Sequence, residues 1–181
     1  MAAEKPIESL LSFEGKRYAV LLGAVLILLT TTVPYLLLLN GFLFAGIFLA
    51  GVVALHRTIM RFQVALTFRE AFVLGCMAGF VGGLLSEVVS FFLIGFFHYR
   101  PETESLIVVI DWLLESAKGR PDMLEQLKPL VAMKKQILEP LSLTFVDLLM
   151  NITVAGTFFA PITGLGGAYA VRRLKRQAAR G

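Results

Sequence analysis

From Tyr18 to Leu55 the chain carries no charged side chain. A helix needs about 20 residues to cross a bilayer. The run therefore predicts two spans, over about 18–34 and 36–55, joined by a tight turn. Pro34 and Asn40-Gly41 compete as the break point, and the turn is placed between Val33 and Gly41, where Thr30, Thr31, Thr32 and Pro34 weaken a helix. The second helix presents Gly46, Ala50 and Ala54 at four-residue spacing, which lets two helices approach closely. His56 to Glu70 then reads as a basic connector with Arg57, Arg61 and Arg69, and Thr67 with Glu70 has the spacing of a capping box.

The third apolar run, 71–97, is the richest in glycine. Gly75, Gly79 and Gly83 repeat every four residues, and Gly82, Ser86 and Ser90 lie on the adjoining face. Glycine costs about 1 kcal/mol in an ordinary helix interior, so this many predict a closely packed backbone. A polar insert follows over 98–143. It predicts two short amphipathic helices that lie on the bilayer or cap the bundle. The first has Leu106, Ile110, Leu113 and Leu114 on one side; the second has Leu124, Leu127, Val131 and Leu138, with Pro129 placed to kink it. Trp112 suits the headgroup level. The fourth span, over 144–171, repeats the device with Gly156, Ala160, Gly164 and Ala168, and Pro161 can bend it. The pattern predicts one domain, 1–181: an all-α integral-membrane four-helix bundle with an amphipathic helical insert between the third and fourth spans. At the N-terminus, Leu10, Leu11 and Phe13 suit a short turn on the membrane surface. The apolar run after them is too long for a cleaved signal peptide and reads as a retained anchor.

Composition sharpens this. Hydrophobic residues make up 57% of the chain and charged ones 17%, against roughly 25% charged in a soluble domain. The formal net charge is +4, but the basic residues flank apolar runs, which points to orientation in a bilayer rather than to nucleic acid. The N-terminus, the 56–70 connector and the tail hold most of the Lys and Arg, while the acids concentrate in the insert. That distribution predicts cytoplasmic termini and an extracytoplasmic insert in a bacterial inner membrane. The bilayer is thus the expected partner, alongside a second copy or another membrane protein. The one cysteine, Cys76, permits neither an intrachain disulfide nor a cysteine-based zinc site.

One residue stands out chemically. Glu87 lies inside the third apolar run, and an acid inside a span is a functional candidate by default. At about 1.5 Å per residue it lies roughly 15 Å below the end of its helix. Asn151 is expected at a similar depth and Asp147 about one turn nearer the outside, so the three form a candidate ion or proton site. The structural alternative is a protonated Glu87 that hydrogen-bonds Asn151 or a hydroxyl and locks two helices together. His56 and His98 fall on opposite membrane faces and cannot share a metal. No hydrolase, metalloprotease or phosphate-loop pattern is present. Gly164-Leu165-Gly166-Gly167 lies inside a span, so no enzyme activity, metal or cofactor is expected. The tail from Arg172 to Arg180 reads as a stop-transfer anchor that contacts anionic headgroups.

A close-set helix pair, a basic connector into LTFREAFVLG, a glycine-rich helix ending near HYRPE, an amphipathic insert and a final helix with a Lys/Arg tail complete the pattern. In this layout the chain resembles an uncharacterised bacterial family of four-span inner-membrane proteins, a domain of unknown function common in Bacteroidetes-like lineages. The likeness is carried chiefly by Thr67-Phe68-Arg69-Glu70-Ala71-Phe72, Gly75 and Pro101. It implies four spans and an inner-membrane location and brings no catalytic residues. The small-residue rows suggest an accessory or scaffold protein that packs through its helix faces; the alternative is a small ion- or proton-coupled transporter using Glu87.

Overall fold

The computed structural model describes residues 11–118, 120–137 and 143–179, all of them in helices or the links between them, with no strand. The helices are α1 (Phe13–Thr32), α2 (Pro34–Leu37), α3 (Ala45–Phe62), α4 (Phe68–Phe97), α5 (Pro101–Ser116), α6 (Pro121–Ile137) and α7 (Phe145–Ala178), with a 3-10 turn at Leu38–Gly41 after α2. Of these, α3, α4 and α7 are long and apolar enough to cross a membrane. A fourth candidate is α1 together with the segment 34–41, which is bent from it by 99°. Leu10, Leu138 and Arg180 lie outside the described residues.

The link between α1 and α3 is longer than a tight turn. Thr30, Thr31 and Thr32 each turn their hydroxyl back onto a carbonyl of Ile27 or Leu28. Val33 then becomes extended and Pro34 starts the bent segment. Reversal is completed only at Leu43 and Phe44, which hold φ of 52° and 58°. Asn40 clasps the two sides: its amide donates to the Thr30 carbonyl at 3.0 Å and its oxygen accepts from the Ile47 amide at 3.1 Å. In consequence α3 starts nine residues later than the span expected at 36–55. It also continues through His56 to Phe62, so with Phe68 to Glu70 already in α4 most of the expected basic connector is helix. Within the extension Arg61 lies over the Tyr18 ring at 4.5 Å. The connector proper is 63–67. After it, Thr67 and Glu70 form the capping box at the start of α4. At the other end of the chain α7 runs past Val171 to Ala178.

Small residues set the packing. α1 and α4 run parallel: Gly23 meets Ala78, Gly82 meets Ala24 and Ile27, and the Ser86 hydroxyl donates to Thr31 Oγ1 at 2.7 Å. Each contact lies four residues beyond the last on both helices. α4 and α7 run antiparallel. A Cβ on Gly75 would stand 2.6 Å from the Thr163 carbonyl oxygen and one on Gly79 would stand 2.5 Å from that of Phe159, while Gly83 lies against Ala155 and Gly156. The vacancies are reciprocal, since Gly156 makes room for the Phe80 ring and Gly164 for Phe72 and Cys76. α3 and α7 run parallel, with Gly51 on the Thr163 carbonyl and Gly166 on the Phe48 carbonyl. Ala54 meets Gly23 and closes the circuit back to α1.

The rows expected to serve partners outside the chain are therefore filled by helices of the same chain. What faces outward is large and apolar: Leu21 and Val25 on α1, Leu49 on α3, Met77 and Phe80 on α4, Phe158 and Leu165 on α7. The arrangement inverts the usual one, with glycine, alanine, serine and threonine inside.

α5 packs on the bent segment rather than beside the long helices. Its Ser105 hydroxyl donates to the Pro34 carbonyl at 2.6 Å. This turns Pro101, Ser105, Ile110 and Ala117 inward and leaves Leu106 exposed, so the buried face is rotated from the one expected through Leu106. Lys134 of α6 pairs with Asp111 of α5 at 2.5 Å. Pro129 lies inside α6, and Trp112 is exposed.

Because Gly79 meets backbone rather than a movable side chain, Gly79→Ala is expected to destabilise by about 1–3 kcal/mol, and Gly79→Leu by more. Gly95, on the same helix, has nothing within 4 Å of its Cβ direction. Gly95→Ala is expected to be neutral or to stabilise by up to about 1 kcal/mol. Thermal unfolding of the detergent-purified variants measures both, and equal midpoints would contradict the packing described.

Candidate functional site

Gly83 opposite Ala155 and Gly156 is the last close step between α4 and α7. One turn further along, the small residues give out. Glu87 follows on α4 and Asn151 on α7, with Phe91, Ile94 and Leu148 beyond them. Here lies a cleft of about 250 Å³, lined by these side chains together with Ser90, Arg100 and Glu102. Glu87 is half-buried, Ser90 buried and Asn151 exposed.

Arg100 and Glu102 reach the cleft through the way α4 ends. His98 takes a left-handed conformation, φ 53°, and the amides of His98 and Tyr99 donate back to the carbonyls of Ile94 and Leu93 at 3.2 and 3.1 Å. This reverses the chain in one residue. Pro101 then starts α5, with Arg100 just before it and Glu102 in its first turn. Arg100 Nη1 donates to the Ile137 carbonyl at 2.9 Å and so ties the cleft rim to the end of α6.

The three residues expected to form one site do not all meet. Glu87 and Asn151 share the cleft, as their depths predicted. Asp147 does not line it: its carboxylate accepts from the Thr144 amide at 2.8 Å and the Thr144 hydroxyl at 2.7 Å, and its own amide donates to Thr144 Oγ1 at 3.3 Å. These bonds satisfy orphan groups at the start of α7, and a carboxylate there also suits the helix dipole. Asp147 is a cap. The alternative role for Glu87, a lock between helices, falls to its neighbour. Between α1 and α4 the Ser86 hydroxyl bonds Thr31, and among the described residues Glu87 has neither a hydrogen bond nor an ion pair.

Nothing in the sequence marks Arg100, Glu102 and Ser90 as site residues. The spacing of Ser90 from Gly82 and Ser86 points to packing. Arg100 and Glu102 belong to the polar insert, and nothing in their spacing from Glu87 shows that His98 turns the chain back. The pair Arg100-Pro101 directly after a long apolar run is the signal that could have marked a tight reversal.

Chemically, the cleft sets a half-buried carboxyl, an amide oxygen and a hydroxyl near a second carboxyl and a guanidinium. Oxygen donors of this kind suit a proton or a hard cation. His56 and His98 lie at opposite ends of the long helices, and among the described residues no cluster of His, Cys, Asp or Glu is placed to hold a metal ion. No family model, curated protein or solved structure matches the chain.

Ser86→Ala is expected to lower stability by about 0.6–1.7 kcal/mol, the range for hydrogen bonds between membrane helices. Glu87→Gln should leave the unfolding midpoint within error of the parent. A larger loss from Glu87→Gln than from Ser86→Ala would return the locking role to Glu87.

Proposed function

We propose that the chain is a four-span bundle in a bacterial inner membrane that takes up a proton or small cation at Glu87, as a small ion- or proton-coupled carrier. The observation that carries this is a carboxyl without a partner among the described residues, facing a cleft part-way along an apolar helix. Such a group is costly in a bilayer unless protonated, hydrated or paired. A site that alternates between these states is one way a carrier couples ion binding to movement.

Charge distribution supports the orientation. Lys16, Arg17, Arg61, Arg69, Arg172 and Arg176 all belong to the end opposite the cleft, where Leu11, Leu66, Ala71 and Val171 share one apolar cluster. By the positive-inside tendency that end is cytoplasmic and α5 and α6 are outside. The accessory-subunit reading drew on the small-residue rows. With those rows packed against helices of the same chain, it keeps no observation of its own.

The test is flux in liposomes holding the purified protein. The parent should carry a pH- or cation-dependent flux, Glu87→Gln should abolish it at an unchanged melting temperature, and Asp147→Asn, which still caps α7, should retain it. Absence of flux from the parent for protons, sodium and potassium would refute the carrier reading.

A further inference from the structure

The basic end of the bundle sorts its cations into two kinds. Arg17 lies over the Phe13 ring, Arg61 over Tyr18 and Phe62, and Lys175 over Phe68 at 4.9 Å. Arg172, Arg173 and Arg176 have no ring beneath them and no carboxylate within ion-pair distance among the described residues. They recur on one face of α7 and, with Tyr169 and Gln177, line a cavity of about 310 Å³. Among the described residues no acidic side chain lines it.

The same face continues towards the middle of α7 as Tyr169, Leu165 and Phe158, each about half exposed, at 49%, 57% and 57%. Spacings of seven and four residues, two helical turns and one, set them in one stripe, and Arg172 and Arg173 follow Tyr169 by three and four. Tyr169 is held at the boundary by its ring contact with Phe48 of α3, centroids 5.8 Å apart. A planar guanidinium binds phosphate oxygens in a two-point fork that an ammonium cannot reproduce.

We infer that this face of α7 is a binding site for an anionic glycerophospholipid, with the phosphate among Arg172, Arg173 and Arg176 and an acyl chain along Tyr169, Leu165 and Phe158. The polar part alone would suit any phosphate. The apolar stripe leading into it selects the lipid. The inference rests on the membrane part of the proposed function and is independent of Glu87.

The test uses the full chain in mild detergent, titrated with phosphatidylglycerol or phosphatidylcholine and read by native mass spectrometry. The parent should prefer the anionic lipid by roughly tenfold or more, given the contribution of each basic residue near an anionic surface. R172Q/R173Q/R176Q should lose the preference, and R172K/R173K/R176K, which keeps the charge but not the fork, should fall between the two. K16Q/R57Q/R69Q, which removes three cations elsewhere on the same end, should match the parent. The site is overturned if the glutamine triple variant keeps the preference, or if the lysine variant binds as the parent does, since diffuse charge would then suffice. It is also overturned if millimolar inorganic phosphate displaces the lipid. Extraction of native membranes with alkaline carbonate separates the two failures. Release of the protein would sink the membrane reading itself, whereas retention without lipid preference would sink only this site.

Discussion

The carbonyl of Thr163 lies between Gly51 of α3 and Gly75 of α4. Three long helices converge on that one peptide group, and a side chain on either glycine would collide with it. Approach this close brings backbone against backbone, where Cα–H groups and carbonyl oxygens make weak but repeated contacts. Thr163 is itself fully buried and turns its hydroxyl onto the Phe159 carbonyl at 2.8 Å, so it asks nothing of its neighbours. At this contact α4 passes α7 in the opposite sense while α3 passes it in the same sense.

The cleft is a consequence of where that packing ends. Four-residue steps carry small residues down α4 as far as Gly83 and along α7 back to Gly156. The next step brings Glu87, where the row of small residues facing α7 ends. A cleft lies there, lined also by Arg100 and Glu102 from the segment after α4. Among the described residues the Glu87 carboxyl has no partner, although Ser90 and Asn151 line the same cleft, and other polar groups at this end are committed elsewhere. Ser86 is bonded to Thr31 across the helix pair, Asp147 to the start of its own helix, and Arg100 to the end of α6.

The two ends of the bundle handle charge differently. In the insert, cations pair with acids: Lys118 with Glu115, Lys128 with Glu125, Lys134 with Asp111. At the opposite end three cations rest on aromatic rings and three face a common cavity on α7. An aromatic face offers a cation attraction without neutralising it. That end therefore keeps its positive field, which favours both an orientation in the bilayer and the anionic lipid proposed for it.

The order of long apolar helices, the capping box at Thr67 and the small-residue rows were legible in the sequence, because each depends on residues within one or two turns of one another. Glu87 could be picked out for the same reason, as a lone acid in a run that is otherwise uncharged. The partners of those rows could not be read. Spacing of four makes a groove but does not say which helix fills it, and here the fillers lie on the same chain. The link from α1 to α3 falls where Pro34 and Asn40 suggest but is longer than a tight turn, because Asn40, ten residues from Thr30, sets its length through two hydrogen bonds that only the folded chain brings together. Asp147 and Arg100 show the same division. The first was assigned to the cleft by depth, but local capping geometry claims it. The second reaches the cleft only because His98 adopts a left-handed turn. Sequence by itself determined which segments are apolar helices and which acid lies inside one, since those are local properties. Tertiary structure decided what each helix packs against and which polar groups surround that acid, since both depend on contacts between residues far apart in the chain.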